Sequence, residues 1–240
     1  MDIMGVLKEG IEVSRKNYII FVPTIAVMVL ISVLTLILIG SGMISMGFIG
    51  GGMRSPGAMV PAFGTLMGGM LLISILGMIL GLFAHGMTVG MAKEAIDAGS
   101  TSISSGINIA TSRFAPLLLG AFLVGIIVAI GLMLLIIPGL IAAFLLMFTF
   151  VAIVIDSMGP VEGMKKSFEI VKSNLGDVIV LFVVIIVLGV VFGIVNMILN
   201  IIPILGQLLG MALMGVFGGY ISIVMVMVYR ELAGAEQPAK

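Results

Sequence analysis

The 240-residue chain has no cysteine, a single histidine and only 9% charged residues. Each shortage excludes a class of chemistry. Without cysteine there are no disulfides, no thiolate metal sites and no thiol nucleophile, and the redox compartment stays open. One histidine, His85, cannot supply the three or four ligands that a metal site needs. Its chain neighbours are apolar, so no Ser-His-Asp set can be assembled around it. The formal net charge is zero, which removes the basic balance that nucleic acid requires. No Asp, Glu, Lys or Arg falls at mid-depth of any apolar run. Buried charges of that kind are the usual mark of ion-coupled transport or proton pumping, so a pump is disfavoured.

What remains is apolar: 61% of the residues are hydrophobic. A soluble domain carries about 25% charged residues, and no soluble core could hide this much apolar surface. A bilayer can. Runs such as 178–195 lack the apolar–polar alternation of a membrane β-barrel, so the class is an all-α, polytopic membrane helix bundle. No cofactor or metal is expected. The first long apolar run follows acidic as well as basic residues. It exceeds the roughly 7–15 residues of a signal-peptide core and reads as a retained first span.

Six spans are expected: about 18–41, 64–91, 117–137, 140–155, and two within 178–229. A span needs about 20 residues to cross a core of roughly 30 Å. The run from Pro116 to Ile155 is twice that length, so a tight hairpin is predicted at Pro138-Gly139, where proline removes a donor and glycine permits a turn. The last run is predicted to break around 200–206, at Pro203. Residues 42–63 read as a Gly/Met/Pro loop.

Three polar segments precede the three pairs of spans. In 2–16, Ile3, Leu7 and Ile11 stack opposite Glu9, Glu12, Arg15 and Lys16. In 102–114, Ile103, Ile107, Ala110 and Phe114 share a face. In 156–177, Val161, Met164, Phe168 and Val171 form a stripe opposite Glu162, Lys165, Lys166, Glu169 and Lys172. Such helices lie in a membrane surface with the stripe in the acyl boundary. Ten of the eleven Lys and Arg lie in these segments, at the second-span exit or in the tail; Arg54 is the exception. The positive-inside rule therefore places both termini and the amphipathic links in the cytoplasm of a cell-membrane protein.

The order of elements repeats three times, in units of about 2–92, 102–155 and 159–229. Glu9-Gly10-Ile11 with Ser14 matches Glu162-Gly163-Met164 with Ser167, and Gly106-Ile107 with Ala110 stands between them. Each unit starts and ends on one side, so the repeats are parallel and related by a pseudo-threefold axis along the membrane normal. The chain is expected to fold as three hairpins, each preceded by a cytoplasmic interfacial helix.

Few residues can carry function. Lys165, Lys166 and Lys172 suit anionic lipid headgroups or a partner protein. His85, late in the second span, suits a proton relay, a substrate contact or an interhelical hydrogen bond. Asn196 and Asn200, one turn apart, and Gln207 beyond the break suit a polar mouth or a hydrogen-bonded hairpin tip. Glycines four apart, such as Gly86/Gly90, Gly189/Gly193 and Gly215/Gly219, are packing seams within the chain or between protomers of a homo-oligomer. Met43, Met46, Met53 and Met59 invite a Cu(I) reading, but the 21 methionines are spread along the whole chain and fit pliable packing better.

Ile137-Pro138-Gly139 closing a hairpin, Asp156 ending the next span and Lys165-Lys166-Ser167 before the fifth span carry a family likeness. Over about residues 102–232 the chain resembles a prokaryotic superfamily of six-span proteins. The superfamily includes the membrane domain fused to some glycerophosphodiester phosphodiesterases. There the chemistry belongs to a separate soluble barrel, so the resemblance implies topology and carries no catalytic residue across. Two functions follow as expectations. One is a non-enzymatic protein that binds or organises lipid or membrane partners. The other is a passive channel or exporter for a neutral or apolar small solute.

Overall fold

A computed structural model describes residues 1–45, 56–202 and 205–235. It is helical, with no strand among the described residues. Helix α1 is Ile3–Lys16, followed by a 3-10 turn at Tyr18–Phe21; α2 is Val22–Ser45, α3 Pro56–Ala98 and α4 Ile103–Leu134. Then come α5 (Ile136–Leu145), α6 (Thr149–Ile155), α7 (Pro160–Ser173), α8 (Leu175–Leu199) and α9 (Leu205–Ala235). Six stretches are long and apolar enough to cross a membrane: Tyr18–Ser45, Met59–Ala98, Ile103–Leu134, Ile136–Ile155, Leu175–Leu199 and Leu205–Gly234. Arg54, Met46, Met53 and Pro203 lie outside the described residues. The predicted 42–63 loop is shortened from both ends, because α2 runs to Ser45 and α3 starts at Pro56.

Contacts divide the chain into two bodies, one formed by residues 1–25 with 82 onward and the other by Ala26–Gly81. In the smaller body α2 meets the first half of α3 at Gly69, where a Cβ would sit 2.6 Å from Leu38 Cδ1. Leu36, Ile37, Leu71 and Leu72 are exposed. Its hydroxyls are satisfied locally: Thr35 donates to the Ile31 carbonyl at 2.8 Å, and Ser74 to that of Met70 at 2.8 Å. A hydroxyl bonded back to its own helix can face lipid without an unpaired group.

The larger body holds the core. The end of α3 contributes Val89, Met91, Ala92 and Ala95, α6 contributes Val151–Val154, and α9 contributes Ile223–Tyr229, all in one buried cluster. These are the second spans of the three pairs. The first spans of the later pairs present exposed apolar faces, such as Leu119, Phe122 and Ile126 on α4 and Val183, Ile186 and Val190 on α8.

Two turns differ from expectation. The chain reverses at Leu135, which is extended (φ −162°, ψ 148°), rather than at Pro138-Gly139. Pro138 falls in the first turn of α5, where its missing N–H would have had no partner in any case. Gly139 instead permits close approach, since a Cβ on Gly131 would lie 2.7 Å from the Gly139 Cα. Pro116 also ends nothing: α4 runs through it. A proline removes one hydrogen bond, and a transmembrane helix tolerates that where packing holds both sides. Gly106 packs on Met91 before Pro116, and Leu117 packs on Gly86 after it. The second amphipathic segment is therefore continuous with its span.

Candidate functional site

The charged ends of α3, α6 and α9 meet the middle of α7 in a cleft of about 680 Å³, whose polar lining is Lys93, Asp156, Lys166, Tyr229 and Arg230. Lys93 and Asp97 are one turn apart on α3, and the lysine ammonium lies 3.2 Å from the carboxylate. The Arg230 guanidinium grips the same carboxylate with both terminal nitrogens, at 2.5 and 2.7 Å. This is the fork geometry in which arginine holds a carboxylate most firmly. Tyr229, buried, donates its hydroxyl to Asp156, which caps α6. Arg113 of α4 donates to the Ser157 carbonyl at 3.3 Å and to its hydroxyl. Ser157 adopts a positive φ of 59°, uncommon for a residue with a side chain, and Arg113 holds it there. The cleft is thus lined by three cations, Lys93, Lys166 and Arg230, and one carboxylate, Asp156.

The geometry of α7 decides which lysine reaches this cleft. Its protein-facing side is Gly163, Ser167, Ile170 and Val171. Of the sequence-predicted stripe only Val171 is fully buried; Met164 is half-buried, and Val161 and Phe168 are exposed. Successive residues turn by about 100°, which gives α7 three faces: a small-residue face on the protein, an exposed apolar ridge and a charged arc. Lys166 closes the arc on the protein side. Lys165 and Lys172 open it beside the ridge, and the Lys172 ammonium sits 5.9 Å from the Phe168 ring centre. The structure thus separates the three predicted lysines and brings Lys166 together with Lys93 and Arg230. The latter two are far apart in sequence, and nothing in their local pattern marks them as partners.

Ser167 anchors α7. The fourth span is broken between Leu145 and Thr149, which exposes backbone groups that a continuous helix would pair. The Ser167 hydroxyl donates to the Leu145 carbonyl at 2.9 Å and accepts from the Phe148 N–H at 3.0 Å. One buried side chain satisfies both sides of the break. In the sequence this serine is marked only by its match with Ser14 and by the Lys165-Lys166-Ser167 likeness; the break it serves has no proline or glycine to announce it. The neighbouring Thr149 hydroxyl is buried with no hydrogen-bond partner among the described residues.

The glycines of the three polar segments play matching parts. A Cβ on Gly10 would press on Tyr220 and Val224 of α9 at 3.3 Å, one on Gly106 on Met91 of α3 at 2.6 Å, and one on Gly163 on Ile153 of α6 at 2.9 Å. Each segment therefore seats its glycine on the second span of another pair. The next residue turns outward: Ile11 and Ile107 are both 44% exposed, and Met164 is half-buried.

His85 lines a second cavity, of about 290 Å³, with Met147, Val151, Ile185, Phe217, Ser222 and Met225 among its neighbours. Its ring meets Phe150 edge to face at 5.9 Å. No hydrogen bond reaches the imidazole among the described residues. The interhelical bond expected of it is absent there, and that role falls to the Thr24 and Thr88 hydroxyls, 3.2 Å apart. At the far end of α8, Asn200 Nδ2 donates to the Asn196 carbonyl at 2.7 Å and approaches Asn196 Oδ1 at 3.3 Å. The Asn196 side chain lies against Gly210 of α9, so the pair secures the tip of the α8–α9 hairpin. Gln207 is exposed and stands outside this pair.

Comparison with known proteins adds one match. Residues 124–232 match a family described as a domain of unknown function (DUF7847). The matched stretch starts within α4 and ends in α9. It contains Asp156, Lys166, Tyr229 and Arg230 but neither Lys93 nor His85. No curated protein and no solved structure matches the chain. Six apolar helices and this match are what a multi-pass membrane protein with an uncharacterised domain presents.

Proposed function

We propose that the protein is a non-enzymatic, multi-pass protein of a prokaryotic cell membrane that binds anionic lipid headgroups in the cleft of Lys93, Lys166 and Arg230. The observation that carries this reading is the convergence of three cations from three helices on one open cleft. The positive-inside rule supports a cytoplasmic position for that cleft and for both termini. The exposed ridge of Val161 and Phe168 on α7 supports an interfacial helix, with Lys165 and Lys172 beside it at headgroup level. No catalytic residue is assigned in this reading.

The pseudo-threefold arrangement of hairpins belongs to the same reading. Its support is the cyclic pattern of the three glycines, in which the segment of each pair rests on the second span of the one before. The likeness to the membrane domain of glycerophosphodiester phosphodiesterases implies topology alone. The alternative, a passive path for a small solute, is weakened by the side chains of α3, α6 and α9 that fill the core near the charged end.

The test is lipid retention. Protein in mixed nanodiscs of phosphatidylglycerol and phosphatidylcholine is exchanged into phosphatidylcholine, and the anionic lipid left bound is counted. A basic residue near an anionic surface is worth roughly 1 kcal/mol, or about fivefold in affinity. Lys166→Gln should lower retention about fivefold, and Lys93→Gln with Lys166→Gln further. Lys165→Gln and Lys172→Gln should each do less than Lys166→Gln. Equal losses from all three α7 lysines, or none, would remove the cleft from the proposal.

A further inference from the structure

We infer that the His85 cavity is a binding site for a small uncharged molecule with an apolar body and one hydroxyl or carbonyl group. This site is separate from the headgroup cleft and does not depend on that reading. The argument starts from the polar groups that the cavity holds. His85 brings an imidazole that no protein group hydrogen-bonds among the described residues. Ser222 spends its proton on the Gly218 carbonyl at 3.0 Å and keeps lone pairs that can accept. The other side chains lining the cavity are apolar, and no carboxylate, lysine or arginine is among them.

Water fits this lining poorly. A space of about 290 Å³ would hold on the order of ten waters at about 30 Å³ each, and every buried water wants two to four polar partners. Two polar side chains cannot supply them. An ion would meet no fixed opposite charge. A molecule that fills the space with carbon and offers one polar atom to His85 matches both the apolar walls and the open imidazole. The volume lies just below the roughly 300–1,000 Å³ usual for ligand sites, which suits a short-chain alcohol or ketone. A bilayer lipid would bring only acyl carbon here, since His85 lies about 12 Å along α3 from Lys93 at the charged end. Headgroups and their ester carbonyls sit at that end.

The single histidine makes the test direct. Protein labelled with 15N-histidine in nanodiscs gives the ring-nitrogen signals of a single imidazole. It is titrated with 6-fluorohexan-1-ol, and the fluorine signal of the probe is followed in parallel. The expected result is a saturable shift of the imidazole signal that tracks saturable broadening of the fluorine signal. 1-Fluorohexane, which lacks the hydroxyl, should bind roughly three- to tenfold more weakly, as the loss of one hydrogen bond implies. Ile185→Phe, which fills the cavity from a half-buried wall position, should abolish saturation. His85→Phe should erase the advantage of the alcohol over the fluoroalkane. An imidazole signal that stays put while the probe partitions linearly, alike in wild type and Ile185→Phe, would overturn the inference. So would equal affinity for the two probes.

Discussion

Single polar side chains in this protein act mainly on backbone. Ser167 closes the break in the fourth span, Asn200 the end of α8, and Asp2 accepts from the Gly5 N–H at the start of α1. Ser167 should be the most sensitive of them, because it is fully buried and serves a donor and an acceptor at once. Ser167→Ala strands both groups, and each buried unsatisfied group costs about 1–3 kcal/mol. The expected outcome is a clear drop in the midpoint of thermal unfolding in detergent, with Ser14→Ala nearly neutral. Ser14 only bonds back to the Gly10 carbonyl of its own helix, at 2.6 Å, and that carbonyl keeps its helical partner. A Ser167→Ala protein as stable as wild type would show that water reaches the break. At this scale the sequence was partly legible. Ser167 stood out by its match with Ser14, yet its role depended on a break that has no local signature.

Helices carry the next level of specificity, and small residues set how closely they approach. The glycine repeats read as packing seams, but the chain uses only some of them internally. A Cβ on Gly90 would lie 2.6 Å from Ile109 Cγ2, whereas Gly81 and Gly193 have nothing within 4 Å. Gly90→Ala should therefore destabilise by about 1–3 kcal/mol through overpacking. Gly193→Ala should be neutral or gain up to about 1 kcal/mol, as alanine is the better helix former. Unfolding followed by circular dichroism would compare the two, and a loss at Gly193 equal to that at Gly90 would point to a partner on the open face. The faces of α7 show the same limit. Three-then-four spacing revealed an apolar stripe, but not that the protein would be gripped by Gly163 and Ser167 a quarter-turn away. Small residues score as neither apolar nor polar, so periodicity passes over the face that packs most tightly.

At the scale of the whole molecule, the testable quantity is sidedness. The natural chain has no cysteine, so every introduced one is the sole reporter. Glu9→Cys, Ser104→Cys and Lys165→Cys sit at exposed positions on the three polar segments. In right-side-out vesicles all three should resist a membrane-impermeant maleimide until the membrane is opened. Gln207→Cys, on the exposed opposite end of α9, should react at once. Labelling of any of the first three from outside would break the cytoplasmic assignment and the parallel repeat with it.

The sequence by itself determined the solvent of this protein. So much apolar surface with so few charges points to a bilayer, and run lengths near the membrane thickness gave six apolar spans, each of which falls on a helix long enough to cross, although the third helix starts at Ile103 rather than 117 and the second runs on to Ala98. Composition and length are sums over the chain, so they survive ignorance of contacts. The tertiary structure decided what those sums cannot contain. It moved the turn from Pro138-Gly139 to Leu135, where two glycine backbones touch, and carried α4 through Pro116. It also broke the fourth span under Ser167, picked Lys166 from three similar lysines, and joined it to cations far along the chain. Each of these depends on which surfaces meet. In a chain that is 61% hydrophobic, one-dimensional pattern cannot tell a face that meets lipid from a face that meets protein.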